Sequence, residues 1–366
     1  MCCGIKDNLY FCKNKYLKVS YMKLFITVCC LLMSMSVFGQ STEKIRPYKD
    51  WETMAYCSYD SYHPSQYAKI DNNWDLLYTL RTPMSIKELK ATGIPFTYSQ
   101  ILFLHIGGLI ESKNNVLHTI MPIFSKDQTK SIRTLSRSIA QTAFKETEND
   151  WSVFMTELKK QKLGKNAYSL VFSYVLDGKI WGKALPTHDS VATHATWDGA
   201  FWALYDKRPH SFCGTNSFNA FHQTWSDSLE YWLDTKTIVR FTEEYAQNKK
   251  IVSKDLLDKS VEYGLADKKG HLIIPIIKED SQDALVKICD ELVVKLASCV
   301  NRHSYEFMKA YQLSNENLAK VILYHEIMWD MMDILVERKI ITEPDILTGS
   351  PRAQKSDFGK IVYIAE

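Results

Sequence analysis

The sequence contains little glycine and little proline, 14 and 10 of its 366 residues. Collagen-like and low-complexity disordered chains need far more of both, so these classes are excluded. The chain also has no large excess of one charge, because 45 basic and 42 acidic residues leave a net charge of only +3. There is no glycine-rich phosphate loop, no dinucleotide fingerprint, no Gly-x-Ser-x-Gly elbow and no two-histidine metalloprotease helix. What is present is a globular composition, 46% hydrophobic, in a chain long enough for two domains.

An apolar run near the start, Leu24–Phe38, follows Met22-Lys23 and precedes Gly39-Gln40. A basic start, about fifteen apolar residues and a small residue before polar sequence are typical of a bacterial secretory signal. The run is shorter than the roughly 20 residues of a membrane span. We therefore predict cleavage near Gly39-Gln40 and a periplasmic or secreted mature chain without a transmembrane span; a signal anchor is the alternative. Met22 is an alternative start codon, which would leave residues 1–21 untranslated.

Removal of residues 1–39 changes both the charge and the cysteine count. The segment holds five of the basic residues and one of the acidic ones, so the remainder has a net charge of −1. Nucleic acid is therefore disfavoured as a partner. Four cysteines remain, Cys57, Cys213, Cys289 and Cys299, too few for a disulfide scaffold. The last two are about 15 Å apart along one predicted helix, so a disulfide would have to include one of the first two.

Two stretches of the chain, 107–123 and 263–276, are similar to each other. Each has Gly-Leu, a polar turn, an apolar run and Pro-Ile, with Gly108 aligned to Gly264 at an offset of 156 and the later residues at an offset of 153. An amphipathic helix follows each stretch. Its matched apolar positions are Ile132, Leu135 and Ile139 in the first copy and Leu285, Ile288 and Leu292 in the second. We predict a duplicated unit of about 120 residues; chance similarity is the alternative.

The first copy has a characteristic order of short elements. A predicted helix precedes Ser85-Ile-Lys-Glu88, a capping box in which each of the two outer side chains accepts from the other residue's free backbone N–H. A further helix, Thr97–Ile106, ends at Gly107-Gly108-Leu109-Ile110 and enters a predicted hairpin. Residues 71–124 thereby resemble the winged helix–turn–helix superfamily. The resemblance implies three helices followed by a two-stranded wing.

A fainter copy at 229–277 has Thr242 in the position of Ser85. The resemblance implies two winged-helix-like repeats in a pseudo-symmetric pair, mainly α with small β-hairpin wings. The third helix of a DNA-binding member presents Arg, Lys, Asn or Gln to the major groove. Here 97–106 has no Lys or Arg, and its counterpart 253–263 has a net charge of −1. We predict interaction or structural modules, with a DNA-binding regulator as an alternative.

The helix after the first hairpin has a basic face. Lys126, Lys130, Arg133 and Arg137 are spaced four, three and four residues apart, which aligns them. The matching helix of the second copy is acidic. A solvated face is one interpretation, and an interaction face that pairs the two copies is the other.

The predicted organisation has a segment between the copies that breaks the helical pattern and is rich in histidine and tryptophan. The boundaries are a leader 1–39, an N-terminal extension 40–70, a first repeat 71–185, a connector 186–228, a second repeat 229–347 and a C-terminal tail 348–366. Functional residues are often found on loops held by a rigid scaffold. Three interpretations of the connector are open: packing, a ligand cleft for a sugar or peptide, or a hydrolase-type site.

The candidate residues of the connector belong to two sets. The ligand-binding candidates are Trp197, Trp202 and Trp225, and the catalytic candidates are His194, Asp198, His210, Cys213 and His222. Elsewhere, His325-Glu326 starts like a zincin helix but lacks the second histidine, so a packed helix is predicted. The preferred function is non-catalytic binding of an unknown protein or small molecule outside the cytoplasm, without cofactor or metal. The alternatives are an extracytoplasmic hydrolase-type enzyme using residues of 188–227 and the DNA-binding regulator.

Overall fold

The computed structural model describes residues 45–60, 62–209, 213–218, 221–226, 235–279, 282–345, 347 and 360–364. The predicted leader 1–39 and His210 lie outside these residues. All elements below belong to one unit that begins at Arg46. The chain is mainly helical with small sheets, which confirms the prediction at this level.

Four short helices precede the first hairpin. The capping box predicted at Ser85 is present: its N–H donates to Glu88 Oε2 at 2.7 Å, and the Glu88 N–H donates to Ser85 Oγ at 3.2 Å. Thr97 and Gln100 cap the fourth helix in the same way. The elements are β1 (Glu52–Tyr59), α1 (Pro64–Lys69), α2 (Asn73–Thr79), β2 (Met84–Ser85), α3 (Ile86–Ala91), α4 (Tyr98–Ile106), β3 (Ile110–Lys113) and β4 (Val116–Thr119). Strand β4 lies between β2 and β3, so the hairpin gains a third strand.

The turn after α4 has the same geometry in both aligned stretches. Gly108 and Gly264 have positive φ, +66° and +64°, a conformation that glycine adopts without strain. In each stretch, the residue after the glycine donates its backbone N–H to a carbonyl five residues earlier. Its own carbonyl accepts from a backbone N–H that follows the next turn of the chain. The pairs are Leu109 to Leu104 and Ile120 to Leu109 in the first stretch, and Leu265 to Ser260 and Ile273 to Leu265 in the second. The donors of equivalent hydrogen bonds are separated by 156 and 153 residues, the same offsets as in the sequence alignment.

Two further sheets have the same internal arrangement. Strand β6 (Trp197–Leu204) pairs antiparallel with β1 and parallel with β5 (Ile123–Phe124). Strand β10 (Lys360–Ile364) likewise pairs antiparallel with β8 (Phe221–Ser226) and parallel with β9 (Ile276–Lys278). Strand β7 (Cys213–Phe218) lies beyond β8 as a fourth strand. The segments that the sequence analysis left outside the repeats, 40–70, 186–228 and 348–366, therefore supply strands of both sheets.

Long helices form the centre of the unit. They are α5 (Lys126–Lys160), α6 (Ala167–Ser169) continuing as a π-helix (Leu170–Lys179), α10 (Ala284–Ala310) and α11 (Glu316–Glu337); the short α7 (His188–Val191) precedes β6. Helix α5 packs on α10 and α11, which also pack on each other, and the π-helix packs on α10. The predicted apolar stripes are in this core, with Ile132 and Leu292 fully buried. The helix around His325 is packed as predicted, because the Trp329 indole N–H donates to His325 Nε2 at 3.3 Å.

The stretch from Ile238 to Ile274 has its own small core. Helices α8 (Thr235–Asn248) and α9 (Lys254–Glu262) enclose Ile238, Phe241 and Leu256. The prediction that Thr242 starts a helix is wrong: it lies inside α8, where its hydroxyl donates to the Ile238 carbonyl at 2.9 Å. The described wing is reduced to one bridge, between Ala266 and Leu272.

Candidate functional site

The connector candidates of the first sheet lie at the start of β6. The His194 N–H donates to the Trp197 carbonyl at 3.0 Å, and the two rings lie 4.1 Å apart. Thr193 forms a bridge with Asp198. Burial lowers the pKa of His194, with the nearby Asp198 opposing the shift. His194 and Asp198 are thus neighbours, as their spacing predicted, but His194 is covered by Trp197 and the α4 turn.

His222 and Cys213 belong to the other sheet. His222 is 5% exposed, and burial lowers its pKa to about 4. Along the hairpin, His222 pairs with Ser217, whereas Cys213 pairs with Ser226, about 13 Å further along the strand. The side chain of Cys213 and all of His210 lie outside the described part of the chain. The catalytic candidates that can be placed are therefore divided between two sheets and do not converge on one site.

The tryptophans of β6 are packing residues. Trp197 is 5% exposed and donates its indole N–H to the Gly107 carbonyl at 2.8 Å. Trp202 is 1% exposed and meets the His325 ring edge to face at 5.2 Å. The predicted ligand wall is therefore not formed by Trp197 or Trp202, because the chain itself covers both rings. The backbone of Trp225 pairs with Gly214, and its side chain is outside the described part.

The basic face predicted on α5 divides into two parts. Lys126 and Lys130 are exposed. Arg133 and Arg137 instead reach α11, where Arg137 Nη2 lies 2.8 Å from Glu337 Oε1. Arg133 and Arg137 are therefore paired with carboxylates of α11 and not with the acidic helix α10.

A buried ion-pair network lies where α5, α11, β1 and the segment after β6 meet. Arg133 donates to Glu326 Oε2 and to Glu52 Oε2, each at 3.1 Å. Arg208 donates to Glu326 Oε2 at 2.9 Å and to Asp330 Oδ1 at 3.1 Å. The Glu52 and Glu326 side chains are fully buried, and that of Arg208 is 9% exposed. We call these five residues the buried network.

The buried network holds three carboxyl groups and two guanidinium groups. Burial raises the pKa of Glu52, and the neighbouring Glu326 raises it further. Burial also opposes the ionisation of Glu326, but the hydrogen bond from His325 and the charges of Arg208 and Arg133 outweigh it and lower its pKa. Glu52 Oε1 is buried and has no hydrogen-bond partner among the described residues. Burial likewise raises the pKa of Asp330, against the opposing charge of Arg208, so Glu52 and Asp330 both bind a proton more readily than an exposed carboxyl group.

A second set of ion pairs joins the π-helix to the second half. Lys179, whose side chain is 8% exposed, contacts Glu279 at 2.6 Å and Asp290 at 3.0 Å. The Tyr174 hydroxyl donates to Glu279, and Lys183 also pairs with Asp290. Glu279 and Asp290 are thus paired with lysines at and just after the end of the π-helix. Both ion-pair sets connect elements far apart in the sequence.

The grouping of Glu52, Arg208, Glu326 and Asp330 was not predicted from the sequence. A signal was present in α11, where Glu326 and Asp330 are four residues apart within an otherwise apolar run. Such an acidic pair on a buried face requires cationic partners. Sequence spacing cannot identify those partners, because Arg133 and Arg208 are 193 and 118 residues from Glu326.

The outward face of α4 is the exposed apolar surface with a regular pattern. Tyr98, Leu102 and Ile106 are 66%, 58% and 48% exposed and lie one turn apart, while Leu104 on the opposite face is fully buried. Lys90 Nζ lies 5.7 Å from the centre of the Tyr98 ring. We call these three residues the α4 face.

The corresponding face of α9 is charged. At the offset of 156 the equivalents of Tyr98, Leu102 and Ile106 are Lys254, Asp258 and Glu262, all exposed. Helices α4 and α9 therefore precede equivalent turns but differ in their outward faces, which are apolar on α4 and charged on α9.

One open groove of about 490 Å³ lies beside α10. Its lining combines Lys183, Ser298, Asn301 and Arg302 with small apolar side chains. Both cations have carboxylate partners, Asp290 for Lys183 and Glu146 for Arg302. The described residues contain no group of His, Cys, Asp or Glu arranged to hold a metal ion.

Comparison with family models, with curated proteins and with solved structures gave no match. Within the described residues, every helix is too short or too polar to cross a membrane. The three cysteines whose side chains are described, Cys57, Cys289 and Cys299, are free thiols.

Proposed function

We propose that this protein is a non-catalytic binding protein that works outside the cytoplasm, and that the α4 face docks a protein partner. The observation that carries the proposal is the exposure of Tyr98, Leu102 and Ile106 on one side of a capped helix. Contiguous exposed apolar side chains on a soluble surface are typical of binding sites.

Burial of the α4 face would contribute part of the free energy of binding. Complete burial of a large apolar side chain contributes about 1.5–3 kcal/mol relative to full exposure. Tyr98, Leu102 and Ile106, at i, i+4 and i+8, approximate the i, i+3/i+4, i+7 spacing of the anchors by which helices are recognised in apolar grooves. The partner surface is therefore a concave apolar one, and acidic residues at its rim would complement the exposed Lys87 and Lys90 beside α4.

The charge of the same helix argues against DNA as the partner. In winged helices that bind DNA, the equivalent helix enters the major groove with basic or amide side chains. Helix α4 carries no Lys or Arg, and the outward face of α9 carries one cation and two anions. Few phosphates can be neutralised by these helices, and phosphate neutralisation supplies most of non-specific affinity.

The proposal includes the family and the duplication. We infer a degenerate winged helix–turn–helix from helices α2, α3 and α4 followed by a sheet in the order β2-β4-β3. A duplicated unit is supported by the matched turns at Gly108 and Gly264 and by the two sheets with equivalent central strands β6 and β10. The location outside the cytoplasm rests on the sequence before Gln40.

A comparison of three immobilised proteins tests the docking proposal: wild type, Leu102→Glu on α4 and Asp258→Lys on α9. The two variants change equivalent exposed positions, so folding is disturbed little in either. The expected result is a protein from the extracytoplasmic fraction that is retained by wild type and by Asp258→Lys but not by Leu102→Glu. Equal retention by all three proteins overturns the α4 face as the docking surface.

A binding titration with random-sequence double-stranded DNA at low and high salt tests the alternative that this protein binds DNA. Salt-dependent DNA binding that Leu102→Glu abolishes would replace the protein partner by DNA, whereas no binding at either salt concentration agrees with the proposal.

A further inference from the structure

Strand β1 lies at the edge of its sheet. Its one strand neighbour is β6, with Cα partners from Glu52–Leu204 to Tyr59–Trp197. Among the described elements, β6 and α7 are its principal neighbours. Ala55, Ser58 and Tyr59 are exposed. The edge of β1 that faces away from β6, which we call the β1 edge, is therefore open within the described part of the chain.

The other sheet shows what such an edge accepts. There β8 has the position of β1, since it pairs antiparallel with the strand that is itself parallel to β9. Strand β7 covers the outer side of β8 and runs antiparallel to it over six residue pairs. Relative to that sheet, the sheet of β1 is one antiparallel strand short.

The β1 edge also lacks the features that normally protect an edge. Monomeric proteins use charged residues, proline or very short strands to prevent pairing with another chain. The wing strand β3 follows this rule, with four residues that include Glu111 and Lys113. Strand β1 has eight residues, and from Thr53 to Tyr59 it has no charge, no proline and no glycine. Its one charged residue, Glu52, is turned into the buried network.

We propose that the β1 edge pairs with the β1 edge of a second copy of this chain, so that two sheets join across a twofold axis. Such a contact between identical strands is antiparallel, as β7 is to β8. A register centred on Ala55 places Thr53 opposite Cys57 and Glu52 opposite Ser58, so that directly opposed residues lie on the same face of the joined sheet. No like charges oppose each other in this register.

The contact goes beyond the proposed function, because it uses a different element from the α4 face. Backbone N–H and C=O groups along β1 would find partners in place of water, and the Ala55 and Tyr59 side chains would be covered. The α4 faces of the two copies would remain available, so the dimer would offer two equivalent docking surfaces.

Sedimentation velocity of the full 366-residue chain over a range of concentrations tests this proposal. The wild type is expected to dimerise, and Ala55→Lys is expected to sediment as a monomer at concentrations where the wild type is a dimer. Ser112→Lys, which adds the same charge to the exposed edge strand β3, is the matched control and should dimerise like the wild type. Leu102→Glu should also dimerise, which separates this proposal from the one on α4.

Hydrogen exchange tests whether strand β1 forms the interface. The amides of 53–59 should exchange more slowly in the dimer than in Ala55→Lys, whose circular dichroism spectrum should equal that of the wild type. A wild-type monomer throughout the concentration range overturns the proposal. So does a dimer that Ala55→Lys and Ser58→Lys both leave intact, since that would place the contact elsewhere.

Discussion

Arg133 on α5 donates from Nε to Oε2 of Glu326 on α11 at 3.1 Å, across a sequence separation of 193 residues. The same guanidinium group reaches Glu52 on β1, and Glu326 also accepts from Arg208. Glu326 thus joins the two long helices and the segment after β6, and Arg133 extends the network to Glu52 on the strand that begins the first sheet. The packing of the two halves depends on this small set of charges as well as on the shared apolar core.

The buried network predicts a large loss of stability on removal of the Glu326 charge. Glu326→Gln leaves part of the positive charge of Arg133 and Arg208 uncompensated. Breaking a buried ion pair in this way typically costs about 3–5 kcal/mol. Urea unfolding measures the change. Glu337→Gln removes the exposed partner of Arg137 and serves as the control, with an expected loss below ~1 kcal/mol. Equal losses in the two variants would contradict the assigned role of burial.

Glu52 predicts a pH dependence of the opposite sign to that of an ordinary ion-paired carboxylate. Its folded-state pKa is raised above the usual 4.5, so its contribution to stability is complete below that value and is lost as the pH rises through the folded pKa. Glu52→Gln mimics the protonated group and should be more stable relative to wild type above that range, by ~1.4 kcal/mol for each unit of the shift. A difference that does not change with pH would contradict a raised pKa for Glu52 in the folded protein.

His222 predicts a loss of stability on the acid side. Burial lowers its pKa from 6.5 to about 4, so the neutral ring stabilises the fold above pH 6.5 and this contribution is lost as the pH falls toward 4. The full effect is ~3 kcal/mol, from about 1.4 kcal/mol per unit. Unfolding of wild type and His222→Gln between pH 4 and 7 checks it, because the variant should show a smaller slope. Parallel curves would contradict a buried neutral imidazole.

We predict that the substitution Gly108→Ala destabilises the fold for two reasons that can be separated. A side chain at Gly108 has to adopt φ of +66° and would also collide with the His194 ring. Gly93 has φ of +78° but no atom within 4 Å of an added Cβ, so Gly93→Ala measures the backbone strain alone, about 1–2 kcal/mol. Thermal and urea unfolding should show a larger loss for Gly108→Ala than for Gly93→Ala. Equal losses would mean that the His194 ring moves aside without cost.

Local structure was largely predictable from the residues themselves. The capping box of Ser85 and Glu88 and the apolar stripe of α5 follow from interactions within a few residues, so their sequence spacing is sufficient evidence. The matched turns at Gly108 and Gly264 were also visible as an alignment, because positive φ restricts those positions. Thr242 was mispredicted because Thr is accepted inside a helix when its hydroxyl bonds to the preceding turn, as it does with Ile238.

The connector shows why the candidate site was less predictable. His194, Asp198 and His222 are close in the sequence, yet β6 and β8 belong to different sheets, so nearness along the chain did not become nearness in space. The high tryptophan content suggested a ligand wall, but aromatic rings serve equally well as core, and burial decides between the two.

Helix positions, caps, turns and the alternation of apolar residues could be read from the linear sequence, because they depend on neighbours three or four residues apart. The partners of Glu326, the pairing of β1 with β6, and the exposure of Tyr98 and Leu102 rather than their burial were decided by tertiary structure. Each of these depends on which distant segment excludes water from a given side chain or backbone edge, and that is a property of the assembled core.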